Sequence, residues 1–292
     1  MKLSVCTISF RHQLTSLDQI VEWTKERDFQ SIELWGVHAK NLSDFPRYNV
    51  QWLKSHGLRV SMISDYLPLE GDESIAIEKM KSLCQLANFW NAKKIRTFAG
   101  GRASSHVSKN ERRNWVERLR KLCDLAAASG KYLVVETHPN TLADTLDSTL
   151  SLLNEVDHEN LKINFDVIHV WEASDNPQQA FNALAPYIVH MHLKNIRDFG
   201  QRNIFQPANV YAPAGKRAGM ASVFEGAFDF DTFLRFVMQQ DKVNWRDLDV
   251  SLEWFGGDVF CTLDKDQRAI GTLQGQFVLP VVECDKQDAL AV

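Results

Sequence analysis

Residues 132–140 read YLVVETHPN. Tyr132, Leu133, Val134 and Val135 form an unbroken apolar run, which ends on Glu136, Thr137 and His138 before Pro139 and Asn140 stop it. A β-branched and aromatic run bounded by turn residues reads as a short buried strand. Side chains alternate along a strand, so Glu136 and His138 share a face at its carboxyl end. The segment before it has helical spacing. Ser108 to Glu111 fits a capping box, and Trp115, Leu119, Leu122 and Ala126 recur at one face of a helix. A helix that feeds a strand, with turn residues between, is half of a βα repeat.

Working outward, the same alternation recurs along the whole chain. Candidate strands are Leu3–Ser9, Ser31–Trp35, Leu58–Ile63, Lys94–Phe98, Tyr132–Glu136, Leu161–Asp166, Ile188–Leu193 and Asp249–Trp254. Helix starts fall between them: Thr15 to Asp18 as a second capping box, Asn176 before Pro177, and Asp229 before Phe230, Phe233, Leu234 and Val237. Alternating strands and helices with no linker or low-complexity stretch predict an α/β protein, a single (β/α)8 TIM barrel over 1–292. Two segments exceed the bare repeat. One is a long loop at about 195–228 that holds YAPAGKRAGM, and loops of that length in compact domains usually carry function. The other is a C-terminal tail at about 276–292, where Phe277, Val278, Leu279 and Val281 would cover a partner's surface, making a homo-oligomer, or the barrel's own flank.

Composition narrows the function. The 292 residues carry 33 Lys and Arg against 37 Asp and Glu, a net charge of −4, with no long run of one sign. A nucleic-acid partner calls for a basic face, so none is expected. MKLSVCTISFRHQ is too short and polar in its apolar run for a signal peptide or membrane span, which predicts a cytoplasmic protein with no membrane partner. Its 5 cysteines (Cys6, Cys84, Cys123, Cys261, Cys284) are scattered and free of CxxC spacing, so neither a disulfide framework nor a zinc knuckle is indicated. Gly100 and Gly101 belong to no phosphate-binding fingerprint, so no nucleotide cofactor is expected.

Barrel enzymes react at the carboxyl ends of their strands, and ionisable residues collect there. Glu136 ends the fifth candidate strand, Asp166 the sixth with His169 three residues on, His192 lies in HMHLK of the seventh, and Glu253 sits in SLEWF of the eighth. Acids gathered in a low-dielectric pocket need a shared positive partner. Glu136, Asp166, His192 and Glu253 form an oxygen-dominated set that suits Mn²⁺ or Mg²⁺, with Co²⁺ or Zn²⁺ as substitutes in vitro. A metal-free ion-pair network is the alternative. Arg96 in KIRTFAGGR offers a fork for a carboxylate, its alternative being a surface arginine, and Tyr66 follows the third strand. His12 and His38 follow the first two strands, where they would rim the pocket.

The set ETHPN, DxxH, HxHLKN and SLEWFG resembles the xylose isomerase-like family of metal-dependent TIM barrels. CTISFRHQL, IELWGVHAKNL, MISDYL, ETHPNTLADTL, LKINFD, NVYAPAGKRAGM and FEG extend the likeness, from about Lys2 to Gly256, to the bacterial 3-dehydroshikimate dehydratases of the petrobactin-type siderophore pathway. That resemblance implies a lyase that converts the small molecule 3-dehydroshikimate to protocatechuate through a metal-stabilised enolate, in siderophore synthesis or in quinate and shikimate catabolism. It puts the metal on Glu136, Asp166, His192 and Glu253, and Tyr66, Arg96, His138, His169, Lys194 and Tyr211 in the pocket. It implies His138 as the base, Lys194 as enolate stabiliser or proton donor with Tyr66 or Tyr211 assisting, and Arg96 with Arg217 on the substrate carboxylate. Ketose epimerases resemble this pattern but carry a second glutamate six residues after the first, where this chain has Leu142. A sugar or inosose isomerase or epimerase is therefore the second reading, and a non-catalytic metal-binding barrel the third.

Overall fold

The computed structural model describes residues 1–212 and 217–277. Ten strands occur among them: β1 (Lys2–Cys6), β2 (Ser31–Trp35), β3 (Arg59–Ser64), β4 (Lys94–Thr97), β5 (Tyr132–Glu136), β6 (Leu161–Asp166), β7 (Ile188–Leu193), β8 (Asn195–Ile196), β9 (Met220–Ala221) and β10 (Asp249–Leu252). Eight of them close into a parallel barrel in the order β1-β10-β7-β6-β5-β4-β3-β2, with β1 hydrogen-bonded to both β10 and β2. The expected α/β (β/α)8 barrel is therefore the observed fold. No helix among the described residues is long and apolar enough to cross a membrane.

Four strands match the sequence reading residue for residue, and the others differ at their ends for local reasons. β1 stops at Cys6 because Thr7–Phe10 winds into a 3₁₀ turn. β10 stops at Leu252, after which the Glu253 amide bonds the Leu193 carbonyl at 3.1 Å and the Trp254 amide bonds Ser9 Oγ at 3.0 Å. The capping box expected at Thr15 and Asp18 lies one residue on. Leu17 is the first helical residue, so Ser16 caps and Gln19 closes the box. The box at Ser108 and Glu111 forms as expected, and Trp115, Leu119, Leu122 and Ala126 are all buried on one face of the helix Lys109–Ala128.

The core lies between barrel and helices, where Phe165 of β6 packs against Phe181 and Phe233 of the helices Pro177–Leu184 and Phe230–Met238. The barrel's inside is polar: Glu33, Lys94, His190 and Ser251 are all buried. The long segment after β7 is not a structureless loop. β8 and β9 pair antiparallel, Phe199–Phe205 forms 3₁₀ turns, and Pro207–Val210 a short helix. Asn195 ties its two ends together, donating from Nδ2 to Val223 and Phe228 carbonyls at 2.7 and 2.9 Å. The expected tail lies, from residue 278 on, outside the described residues.

Candidate active site

At the carboxyl end of the barrel, β5, β6, β7 and β10 bring the four expected ligands together. Each acid sits at a strand end because the strand's alternation turns it inward at the point where pairing stops. His192 is fully buried, and its Nδ1 lies 3.7 Å from Glu136 Oε1, 3.8 Å from Asp166 Oδ2 and 3.5 Å from Glu253 Oε2. Asp166 divides its carboxylate: Oδ1 accepts from the His169 amide as cap of the helix Val167–Glu172, while Oδ2 faces the cluster. Two of the residue groups with metal-binding spacing, Asp166 with His192 and Glu253, and Glu136 with Asp166 and His169, overlap on this spot.

Two cations balance the acids. Lys194 Nζ donates to Asp166 Oδ2 at 2.6 Å and to Glu253 Oε2 at 2.8 Å, and Arg96 Nε stands 3.0 Å from Glu136 Oε2. Burial alone would raise the Glu136 carboxyl, but Arg96 and then His192 hold it well below the usual range. Glu253 is likewise held low, with Lys194 outweighing its burial. Arg96 is packed between the Tyr66 and Phe98 rings, 5.1 and 4.9 Å from their centroids.

Above the acids lies a cavity of about 320 Å³, lined by Arg96, His138, His169 and Lys194 and by Phe205, Val210 and Tyr211 of the covering segment. His138 stacks on Phe98 at 4.1 Å, and its Nδ1 meets the Pro139 carbonyl at 2.7 Å. That carbonyl can only accept, so Nδ1 carries the proton and Nε2 is left with a lone pair. Burial, then the neighbouring His169, push His138 well below the ordinary imidazole range. His169 moves the other way, because Asp166 and Glu172 outweigh its burial and Glu172 accepts from Nδ1 at 2.7 Å. Tyr66 and Tyr211 hydroxyls bond each other across the cavity mouth.

Arg217, expected on the substrate carboxylate, donates to the Asn209 and Ala212 carbonyls, each at 2.6 Å, bracing the covering segment. His12 Nε2 approaches the Val210 carbonyl at 3.4 Å, while His38 packs edge-on to Trp35. Leu142 is fully buried, with its amide bonded to the Ala99 carbonyl, so it places no carboxylate in the cavity.

Sequence reasoning missed Glu33. It is fully buried on β2 and its Oε2 accepts from His192 Nε2 at 2.9 Å. The signal was available: an acid between Ile32 and Leu34 in the middle of an apolar strand.

The donor set fits a divalent metal. His192 Nδ1 is buried without a hydrogen-bond partner while three carboxylates surround it, and its other nitrogen is tied to Glu33. Residues 21–274 match the family described as the xylose isomerase-like TIM barrel. A 3-dehydroshikimate dehydratase of Bacillus anthracis is 47% identical over 276 residues, 92% of this chain and 96% of that one. The chain belongs to the xylose isomerase-like TIM barrels, with the 3-dehydroshikimate dehydratases. Within this family, the crystal structure of AsbF from Bacillus anthracis, a probable 3-dehydroshikimate dehydratase involved in petrobactin synthesis, superimposes with a TM-score of 0.87 at 45% identity. It covers 93% of this chain and 99% of AsbF. The barrel is shared more widely: the IolI protein with a bound zinc atom has a TM-score of 0.72 at 16% identity, over 95% of this chain and 98% of its own.

Proposed function

We propose that the chain is a carbon–oxygen lyase that dehydrates 3-dehydroshikimate to protocatechuate in the cytoplasm, with Mn²⁺ or Mg²⁺ held by Glu136, Asp166, His192 and Glu253. One observation carries this: on a chain 47% identical to a 3-dehydroshikimate dehydratase, three carboxylates converge on an unpartnered imidazole nitrogen under a cavity of about 320 Å³. Bound there, the metal supplies Lewis-acid stabilisation of the negative charge that develops on the substrate's ketone oxygen.

The chain's own residues do the proton work. His138 is a neutral imidazole with its Nδ1–H engaged by Pro139, so Nε2 takes a ring proton activated by the ketone. Stacking on Phe98 fixes the ring's direction during that transfer. The β-hydroxyl leaves as water with a proton from Lys194, whose ammonium is maintained because Asp166 and Glu253 outweigh its burial. A further shift of one ring proton to the ketone oxygen completes the aromatic catechol. Arg96 orients the substrate carboxylate: Nε pairs with Glu136, and Nη1 is a buried donor without a hydrogen-bond partner. Tyr66 and Tyr211 close the mouth through their hydroxyls, and Phe205 and Val210 exclude water.

The test is to mix the protein, Mn²⁺ or Mg²⁺, and 3-dehydroshikimate and follow the catechol absorbance, with a chelator and an inosose as controls. Product that a chelator suppresses, and no turnover of inosose, are expected. Absence of a chelator-sensitive catechol refutes the reading.

A further inference from the structure

Below the proposed metal site, a column of buried polar groups runs down the barrel axis. Lys94 Nζ is held by Asp249 Oδ2 at 2.5 Å and the Val189 carbonyl at 3.0 Å, and it reaches His190 Nδ1 at 3.0 Å. An ammonium can only donate, so His190 Nδ1 is the acceptor and the proton of that ring is on Nε2. Nε2 meets Ser251 Oγ at 2.7 Å and Glu33 Oε2 at 3.3 Å. Glu33 also accepts from Ser64 Oγ on β3 and from His192 Nε2 at 2.9 Å. Ser64, His190 and His192 all donate to Glu33, and the His190 proton is set by Lys94 further down.

We propose that Glu33 is a positioning residue: by accepting from His192 Nε2–H it commits that imidazole to present Nδ1, and no other nitrogen, to the three carboxylates. The inference rests on the metal reading above and assigns a residue outside the ligand set to it. Without Glu33, the ring is free to turn over or to hold its proton on either nitrogen, so part of the population offers no lone pair to a cation. Loss of such an orienting carboxylate weakens metal affinity about 10- to 100-fold.

The experiment is a calorimetric titration of the metal-stripped full chain with Mn²⁺, for wild type, Glu33→Ala and Glu33→Gln. Glu33→Ala is expected to bind Mn²⁺ about 10- to 100-fold more weakly. Glu33→Gln, whose amide oxygen still accepts from Nε2–H, is expected to lie between the two. The Mn²⁺ concentration for half-maximal turnover should move in parallel, with turnover largely recovered at saturating metal. Unchanged Mn²⁺ affinity in the variants overturns the proposal, even if their melting temperatures fall, because that is a purely structural role. If Glu33→Ala does not fold, Glu33→Gln decides by the same criterion. Wild-type protein that binds no divalent cation would instead sink the metal reading, and this inference with it.

Discussion

At the scale of single residues, the site depends on neighbours that push alike groups in opposite directions. His138 and His169 stand 4.4 Å apart, yet His138 is driven towards its neutral form by burial and His169 while His169 is driven towards its charged form by Asp166 and Glu172. Two imidazoles separated in this way suit a base beside a fixed cation. Replacing His138 with alanine removes the proposed base without touching a carboxylate of the cluster. Turnover is expected to fall about 10²- to 10⁴-fold, with Mn²⁺ affinity by calorimetry unchanged; retained turnover would remove His138 from this role. Glu136, Asp166 and Glu253 were legible because each ends or follows an apolar strand, and His192 because it is the next-to-last residue of β7. Glu33 was not singled out, because a lone acid inside a strand has no meaning until the closed barrel sets it against His192, 159 residues away.

At the scale of elements, the covering segment is the part that sequence described least well. Asn195 uses both ends of its amide: Nδ2 donates to Val223 and Phe228 carbonyls, and Oδ1 accepts from the Ile196 and Phe228 amides at 2.9 and 3.3 Å. Gly226 is required beside it, since a Cβ there would lie 2.1 Å from the Asn195 side chain. Asn195→Ala leaves these backbone groups unpaired, which costs about 2–3 kcal/mol of local stability. The expected results are faster limited proteolysis within residues 196–228 and a KM raised several-fold, because Phe205, Val210 and Tyr211 line the cavity from that segment. Proteolysis at the wild-type rate would show that Asn195 does not hold the segment. Hydrophobic periodicity could not reveal this element: its order comes from one side chain bonding to backbone 28 and 33 residues further on.

At the scale of the whole molecule, the covering segment is also anchored to the helix Val259–Gly275 through Asp266. Asp266 is buried, and its Oδ1 accepts from Ser222 Oγ and from the Val223 amide, each bond joining residues more than 40 positions apart. Burial raises its carboxyl to about 6, despite those hydrogen bonds. A folded-state value above the unfolded one means the folded chain binds the proton more tightly. The stability from this group is therefore fully present below about pH 4 and is lost as pH rises through about 6. Asp266→Asn keeps the Oδ1 acceptor and removes the charge. At pH 7.5 it is expected to be more stable than wild type by about 3 kcal/mol, with the difference in melting temperature vanishing near pH 4. A variant that melts at the wild-type temperature at pH 7.5 would show that Asp266 is not strained by burial.

The sequence by itself determined the barrel and pointed to the acids and the histidine that gather at its carboxyl end, since both are written in local pattern. Short apolar runs alternate with capped amphipathic helices, and polar residues stand where each run ends. Only the tertiary structure decided what those residues meet. Arg96 lies against Glu136, Lys194 bridges Asp166 and Glu253, Arg217 braces loop carbonyls, and Glu33 stands under His192. Strand propensity and periodicity are properties of neighbours in the chain. Hydrogen-bond partners inside a closed barrel are properties of register and stagger between strands, which appear only once β10 has closed on β1.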